Sequence, residues 1–210
     1  MLFRSRSIHL KENKILLAGL SKSAQGFSPL TNVKQEIDGI DKIYDGRRLE
    51  NENFLASNVK EALKANPYPI VHIATHGQFA GEGSESFLLT WDDRIRMDQL
   101  GGFMKLSRFR KDPVELLTLS ACQTAAGDER AALGLAGIAV RAGARSALAT
   151  LWNVSDQAAS LLVVEFYQKL NDPAVSKADA LQAAQIMLLK SGQYRHPFYW
   201  SPYLLIGNWL

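Results

Sequence analysis

The chain has 210 residues, of which 47% are hydrophobic and 21% are charged, a composition typical of one soluble α/β domain. Twenty-four Lys and Arg against 21 Asp and Glu leave a net charge of +3, which is a weak argument for nucleic-acid binding. One cysteine excludes an internal disulfide. The sequence has neither a secretory h-region nor an apolar run of the roughly 18 residues that a membrane span needs. We therefore expect a cytoplasmic protein with no nucleic-acid or membrane partner.

Along the chain, short apolar runs alternate with segments of helical periodicity. The apolar runs predict buried strands at residues 14–20, 69–75, 114–120, 145–152 and 202–210. The periodic segments predict helices within residues 27–44, 53–67, 97–106, 133–144, 155–172 and 176–192. A stretch rich in Gly, Ser, Glu and Asp, residues 77–94, indicates a loop that carries a small strand or hairpin. This alternation predicts one domain with a mostly parallel sheet covered on both faces.

Two polar residues follow buried strands at equivalent places. His76 comes after the run that begins at Pro69, and Cys122 comes after the run that begins at Val114. Ligands of such sheets collect beyond the carboxyl ends of the strands, so the two side chains meet at one rim if their strands are neighbours. A thiol of pKa about 8.5 is mostly protonated at neutral pH, and a nearby imidazole accepts its proton. The pattern therefore predicts Cys122 as a nucleophile and His76 as its base, with backbone N–H groups of Gly77 and Cys122 as oxyanion donors.

Each of these residues also has an ordinary structural explanation. A lone cysteine after a strand is most often a small buried hydrophobic residue, and a histidine at a strand end is often a satisfied core residue. His72 and His76 form an H-x-x-x-H pattern, but on a strand their side chains lie about 13 Å apart and cannot share one metal ion. We expect His72 to be a core residue or to support the site. Tyr199, Trp200 and Trp209 are expected to pack rather than to bind a ligand.

Three stretches together resemble the CHAT domain, a caspase-like domain often attached to tetratricopeptide repeats: VHIATHGQF, LLTLSACQTAAGDERAALGLAGIAVRAGARSALATLWNVSDQA and HPFYWSPYLLIGNW. The resemblance runs from about Ile15 to Leu210. It implies a caspase-like three-layer α/β/α sandwich with a mostly parallel central sheet, formed by residues 14–210 after an N-terminal extension, residues 1–13. It also implies a cysteine peptidase whose His/Cys dyad is His76 and Cys122, and it implies no metal or organic cofactor.

One further segment, LWNVSDQA, resembles the separase segment LWDVTD. In that family an aspartate helps to bind the basic residue before the scissile bond, which places the role on Asp156 and implies cleavage after Arg or Lys. Alternatively, Ser155 caps a helix and Asp156 complements the positive helix N-terminus, and the two roles can coexist. Asn153 stands where separases have aspartate, which weakens the transfer of their substrate preference.

The sequence therefore favours a cysteine endopeptidase that acts on a protein or peptide substrate through an acyl-enzyme. Two alternatives remain: a CHAT interaction module whose dyad is idle or becomes active only with a partner, and an acyl-transfer enzyme that is not a protease. Only about 14 residues precede the first strand, too few for a repeat of roughly 34 residues. We expect a regulatory or tetratricopeptide-repeat partner to be a separate chain, or this chain to be a fragment.

Overall fold

The computed structural model describes residues 15–79, 86–108, 114–120, 123–124 and 143–210. Its strands are, in chain order, β1 Ile15–Gly19, β2 Gly46–Glu50, β3 Ile70–Ala74, β4 Gly77–Phe79, β5 Phe87–Leu89, β6 Arg94–Arg96, β7 Leu116–Ser120, β8 Gln123–Thr124, β9 Ser146–Thr150 and β10 Tyr203–Gly207. Six of them form the main sheet in the order β10-β9-β7-β3-β1-β2. All neighbours in this sheet are parallel except β10, which runs antiparallel to β9.

Helices cover both faces of the main sheet. Their bounds are α1 Val33–Asp41, α2 Ala56–Ala65, α3 Met97–Arg108, α4 Asp156–Leu170, α5 Lys177–Lys190 and α6 Pro197–Trp200. Buried residues of α2 and α3 pack on one face, and those of α1, α4 and α5 pack on the other. The predicted parallel sheet between two helical layers is thus confirmed.

Strand β1 shows how the apolar runs build this core. All five of its residues are buried, because side chains that alternate between two covered faces must be apolar on both. Leu16 and Ala18 join the cluster under α2 and α3, while Ile15 and Leu17 join the cluster under α1 and α4. Gly19 ends the strand where a Cβ atom would lie 2.8 Å from the Ala74 carbonyl oxygen, so only glycine fits there without displacement.

A second sheet has the strand order β6-β5-β4-β8. The hairpin expected in residues 77–94 is part of it. Strands β3 and β7 are neighbours in the main sheet, where Ala74 pairs with Ser120. Their continuations β4 and β8 pair again in the small sheet, where Gln78 is opposite Gln123. Two chain segments that are neighbours in the large sheet are therefore neighbours again in the small one.

One pair of ionisable side chains is buried in the core between β3 and α1. His72 and Glu36 are 0% and 1% exposed, and His72 Nε2 lies 2.9 Å from Glu36 Oε1. Their alignment falls short of hydrogen-bond geometry, and neither atom has a hydrogen-bond partner within the part of the chain that the structure describes. The Tyr167 hydroxyl lies 3.5 Å from His72 Nδ1 and donates to Thr118 Oγ1. His72 is therefore a core residue that ties β3 to α1.

Most of the predicted helix at residues 133–144 lies outside the described residues. Ser176 caps α5 as expected, because its hydroxyl accepts a hydrogen bond from the Asp179 backbone N–H. Ser155 occupies the N-cap position of α4, but its side chain makes no capping hydrogen bond. A different residue must therefore account for how this end of α4 is held.

Candidate active site

A cavity of about 310 Å³ opens at the carboxyl ends of the parallel strands. Three connections form its walls: residues 26–30 after β1, His76 after β3, and residues 153–156 after β9. Strand β7 lies between β3 and β9 in the sheet. This is the edge at which ligands of open α/β sheets bind, and we therefore take the cavity as the candidate site.

A larger groove of about 700 Å³ lies on the outer side of the molecule between α1 and α4. Its lining combines Lys34, Lys42, Asp38 and Glu165 with apolar residues and contains no histidine or cysteine. It shares no lining residue with the cavity around His76. Size alone therefore does not make it the catalytic site.

The connection from β1 to α1 is fixed by long-range hydrogen bonds. The side-chain amide of Gln25 donates to the Thr90 carbonyl oxygen at 2.8 Å. Near the start of the connection, Asn51 Oδ1 accepts from the backbone N–H groups of Ser21 and Lys22, both at 3.0 Å. These contacts hold one wall of the cavity in place before any ligand binds.

His76 is half-buried and faces this wall. Its Nε2 lies 2.7 Å from the Ser28 carbonyl oxygen, and its ring packs on Phe27 with centroids 5.1 Å apart. A carbonyl oxygen can only accept, so the hydrogen bond places a proton on Nε2. In the neutral imidazole, Nδ1 then carries the lone pair and is the atom that can take a proton from a nucleophile.

Asp156 lines the same cavity, and it is also bound to α1. Its Oδ2 accepts hydrogen bonds from Asn32 N at 2.8 Å and from Asn32 Nδ2 at 2.9 Å. Its Oδ1 is buried and accepts no hydrogen bond from the residues that the structure describes. The carboxylate thus lies at the N-terminus of two helices, its own α4 and the facing α1, where negative charge is favourable.

Cys122 lies outside the described residues. The predicted dyad and the predicted oxyanion donor on Cys122 therefore stay predictions. Gly77, the other predicted donor, is buried and begins β4, where it pairs with Leu88. The structure thus brings His76 and Asp156 to one cavity, and it places Gly77 directly after His76.

Sequence reasoning did not find Phe27, Ser28 and Asn32, which complete this arrangement. Ser28 acts through its backbone carbonyl. Every residue has this group, so the residue type gives no signal. Asn32 has an amide side chain in an ordinary helix-start context, and its partner Asp156 lies 124 positions away. Its role could not be read from local spacing.

The aromatic C-terminal segment mostly packs. Tyr199 and Trp200 are partly buried against the core, and the Trp152 ring stacks on Phe198 with centroids 6.3 Å apart. Trp209 is 56% exposed, so for this residue packing is incomplete.

In residues 15–79, 86–108, 114–120, 123–124 and 143–210, no group of three or more His, Cys, Asp or Glu side chains could hold a metal ion. No helix in these ranges has the length and apolar character needed to cross a membrane.

Comparison with known proteins gives one family and one fold. The model of the CHAT domain family matches residues 2–208. The structure is similar to the complex of the pro- and mature domains of RgpB from Porphyromonas gingivalis, with a TM-score of 0.59 and 10% identity over 93% of this chain and 47% of that chain. It is also similar to the Arg-specific cysteine proteinase gingipain R (RGPB), with a TM-score of 0.54 and 11% identity over 93% of this chain and 46% of that one. The chain thus spans about half the length of these caspase-like structures, which share its fold. No curated protein matches it in sequence.

Proposed function

Because the chain belongs to the CHAT domain family and has the fold of caspase-like cysteine peptidases, we propose that it is a cysteine endopeptidase that hydrolyses peptide bonds of a protein or peptide substrate. In this proposal Cys122 is the nucleophile and His76 the base. The backbone N–H groups of Gly77 and Cys122 stabilise the oxyanion, and Asp156 binds a basic side chain of the substrate.

The register of the two sheets supports this assignment more than any other observation. Ala74 pairs with Ser120 before His76 and Cys122, and Gln78 pairs with Gln123 after them. Segments that are neighbours on both sides of a short crossing have little length in which to separate. The register thus favours a meeting of the imidazole and the thiol at the cavity.

The proposed reaction follows from the hydrogen bond that orients His76. With Nε2–H donated to the Ser28 carbonyl, Nδ1 takes the thiol proton of Cys122, and the thiolate forms a C–S bond to the scissile carbonyl carbon. The C–N bond then breaks, and the leaving amine takes the proton from His76. Water, deprotonated by the same imidazole, attacks the thioester; the C–S bond breaks, and the acid product and the free thiol are released.

The preference for a basic residue before the scissile bond rests on Asp156. One of its carboxylate oxygens is buried without a hydrogen bond from the described residues, and burial of such an oxygen is unfavourable unless a donor reaches it. An ammonium or guanidinium group in the cavity would supply that donor. One structurally similar protein is named as Arg-specific, which agrees with this proposal.

Replacement of the nucleophile tests the activity. We expect Cys122→Ala to abolish cleavage of a peptide library and His76→Ala to reduce it strongly, while both variants keep the circular dichroism spectrum of the wild type. Cleavage that survives Cys122→Ala would refute the assignment. Labelling by an acyloxymethyl ketone without cleavage of any peptide would instead favour an acyl-transfer enzyme, and absence of rapid labelling would favour an idle interaction module.

A second experiment tests the substrate preference. We expect wild-type cleavage to follow Lys or Arg, and Asp156→Asn to lower kcat/KM for these substrates about tenfold or more, because a charge-assisted hydrogen bond is lost. Asp179→Asn is a matched control, since Asp179 also lies in the first turn of a helix but is not among the residues that line the cavity. A library profile dominated by acidic or apolar residues would contradict the preference.

A further inference from the structure

We propose that Asn32 and Asp156 are positioning residues for His76, because together they hold the segment whose carbonyl oxygen orients the imidazole. The inference rests on the proposed function, in which His76 is the base. It adds a role for Asp156 that does not depend on the side chain of the substrate, and it assigns a role to Asn32.

The segment from Ser28 to Asn32 is held by hydrogen bonds at both ends. At one end, the Ser28 carbonyl accepts the hydrogen bond from His76 Nε2. At the other end, Asn32 donates both its backbone N–H and its side-chain amide to Asp156 Oδ2. Pro29 has a restricted φ and limits the freedom between the two ends. A shift of Asn32 is therefore transmitted to the Ser28 carbonyl over only four residues.

The side chain of Asn32 binds another helix instead of capping its own. Asn32 occupies the N-cap position of α1, yet its side chain makes no capping hydrogen bond. The amide is instead directed to Asp156, at the start of α4, and hydrogen bonds to an ionised carboxylate are stronger than neutral ones. The arrangement therefore serves the contact between α1 and α4 rather than α1 alone.

The chain is also held on the other side of Ser28. Gln25 fixes the chain before Ser28 through the carbonyl oxygens of Thr90 and Asp93. Asp156 and Asn32 fix it after Ser28. The carbonyl oxygen that faces His76 is thus held from two directions, and loss of one anchor leaves it free to move away from Nε2. The proton would then distribute between both ring nitrogens, and Nδ1 would be available as a base for less of the time.

Alkylation of the single cysteine by iodoacetamide tests this inference, because the reagent is small and neutral and has no basic side chain for Asp156 to bind. The thiolate displaces iodide, so the rate follows the ionised fraction of Cys122. We would measure the rate from about pH 5 to about pH 9.5, a range that spans the titration of a free thiol with pKa about 8.5. The proteins are the wild type, Asn32→Ala, Asn32→Ser, Asp156→Asn and the control Asp179→Asn.

In the wild type we expect the midpoint of this profile to lie below that of a free thiol and to move up in His76→Ala. Asn32→Ala and Asp156→Asn should move the midpoint in the same direction and slow alkylation at neutral pH several-fold, while Asp179→Asn leaves both unchanged. Thermal unfolding identifies variants that do not fold. If Asn32→Ala does not fold, Asn32→Ser tests the same contact with a smaller change of the side chain.

Two negative results have different meanings. Wild-type profiles in the folded Asn32 and Asp156 variants would overturn the positioning role, and Asp156 would then act only on the substrate. A wild-type midpoint equal to that of a free thiol and independent of His76 would overturn the proposed dyad, and the positioning role with it.

Discussion

The buried pair of His72 and Glu36 allows a quantitative prediction, because His72 Nε2 and Glu36 Oε1 lie 2.9 Å apart and neither atom has a hydrogen-bond partner in the described structure. Replacement of Glu36 by Leu removes the carboxylate and leaves His72 Nε2 buried without this polar neighbour. Replacement of His72 by Leu leaves the carboxylate of Glu36 in the same condition. A buried polar group without a partner is strongly unfavourable, whereas an apolar pair of similar volume is not.

The expected magnitudes follow from the burial of both residues. Because the side chains are 0% and 1% exposed, solvent does not screen the loss. His72→Leu leaves a buried carboxylate and should lower the free energy of unfolding by about 3–5 kcal/mol. Glu36→Leu leaves a buried imidazole nitrogen and should lower it by about 1–3 kcal/mol. The double variant should lie within about 2 kcal/mol of the wild type, since neither polar group is then left buried without the other. The coupling energy should therefore be several kcal/mol.

Urea unfolding of the four proteins measures this cycle, with the m-value as a check that the unfolded and folded states remain comparable. The reasoning would be refuted if the two single effects summed to the effect of the double variant, or if each single effect were below about 1 kcal/mol. Glu36 lies one helical turn after Asn32 in α1, so the iodoacetamide profile of the double variant also reports whether α1 keeps its place on the sheet.

Two further predictions concern packing and pH. Gly19→Ala should lower the free energy of unfolding by about 1–3 kcal/mol. The added Cβ would lie 2.8 Å from both the Ala74 carbonyl oxygen and the Val33 side chain. Unchanged stability in urea unfolding would contradict this prediction. Burial lowers the pKa of Lys177 below its ordinary 10.5, so the unfolded chain binds more protons between the two pKa values and stability rises with pH in that window. Lys177→Met should lack this rise in urea midpoints as the pH is raised toward 10.5, and an equal rise in both proteins would contradict the explanation.

The central strands could be predicted because they are buried on both faces. Every residue of β3 and β7 is buried, and continuous apolar runs are the signal of such strands. Strand β2, with the sequence GRRLE, gave no such signal, since it lies at the edge of the sheet and only Leu49 is buried. Likewise, the antiparallel direction of β10 depends on the path of the chain through α5 and α6, which hydrophobic spacing does not record.

The candidate site could be predicted only in part for a similar reason. A histidine after a buried strand is visible in the sequence, and His76 indeed lines the cavity. The partner of a carboxylate is not visible, because negative charge is favourable at its own helix N-terminus and also at any other helix N-terminus brought near it. Sequence reasoning assigned Asp156 to the N-terminus of α4, whereas the structure adds that of α1. The pairing is a property of the tertiary structure.

The contact between Asn32 and Asp156 joins positions 124 apart. During synthesis, β1, α1 and β3 leave the ribosome long before the start of α4, so a nascent chain that has folded this far still lacks one anchor of the segment beside His76. If that anchor orients the base, Cys122 reaches its full reactivity only after the start of α4 has been synthesised and has docked on α1.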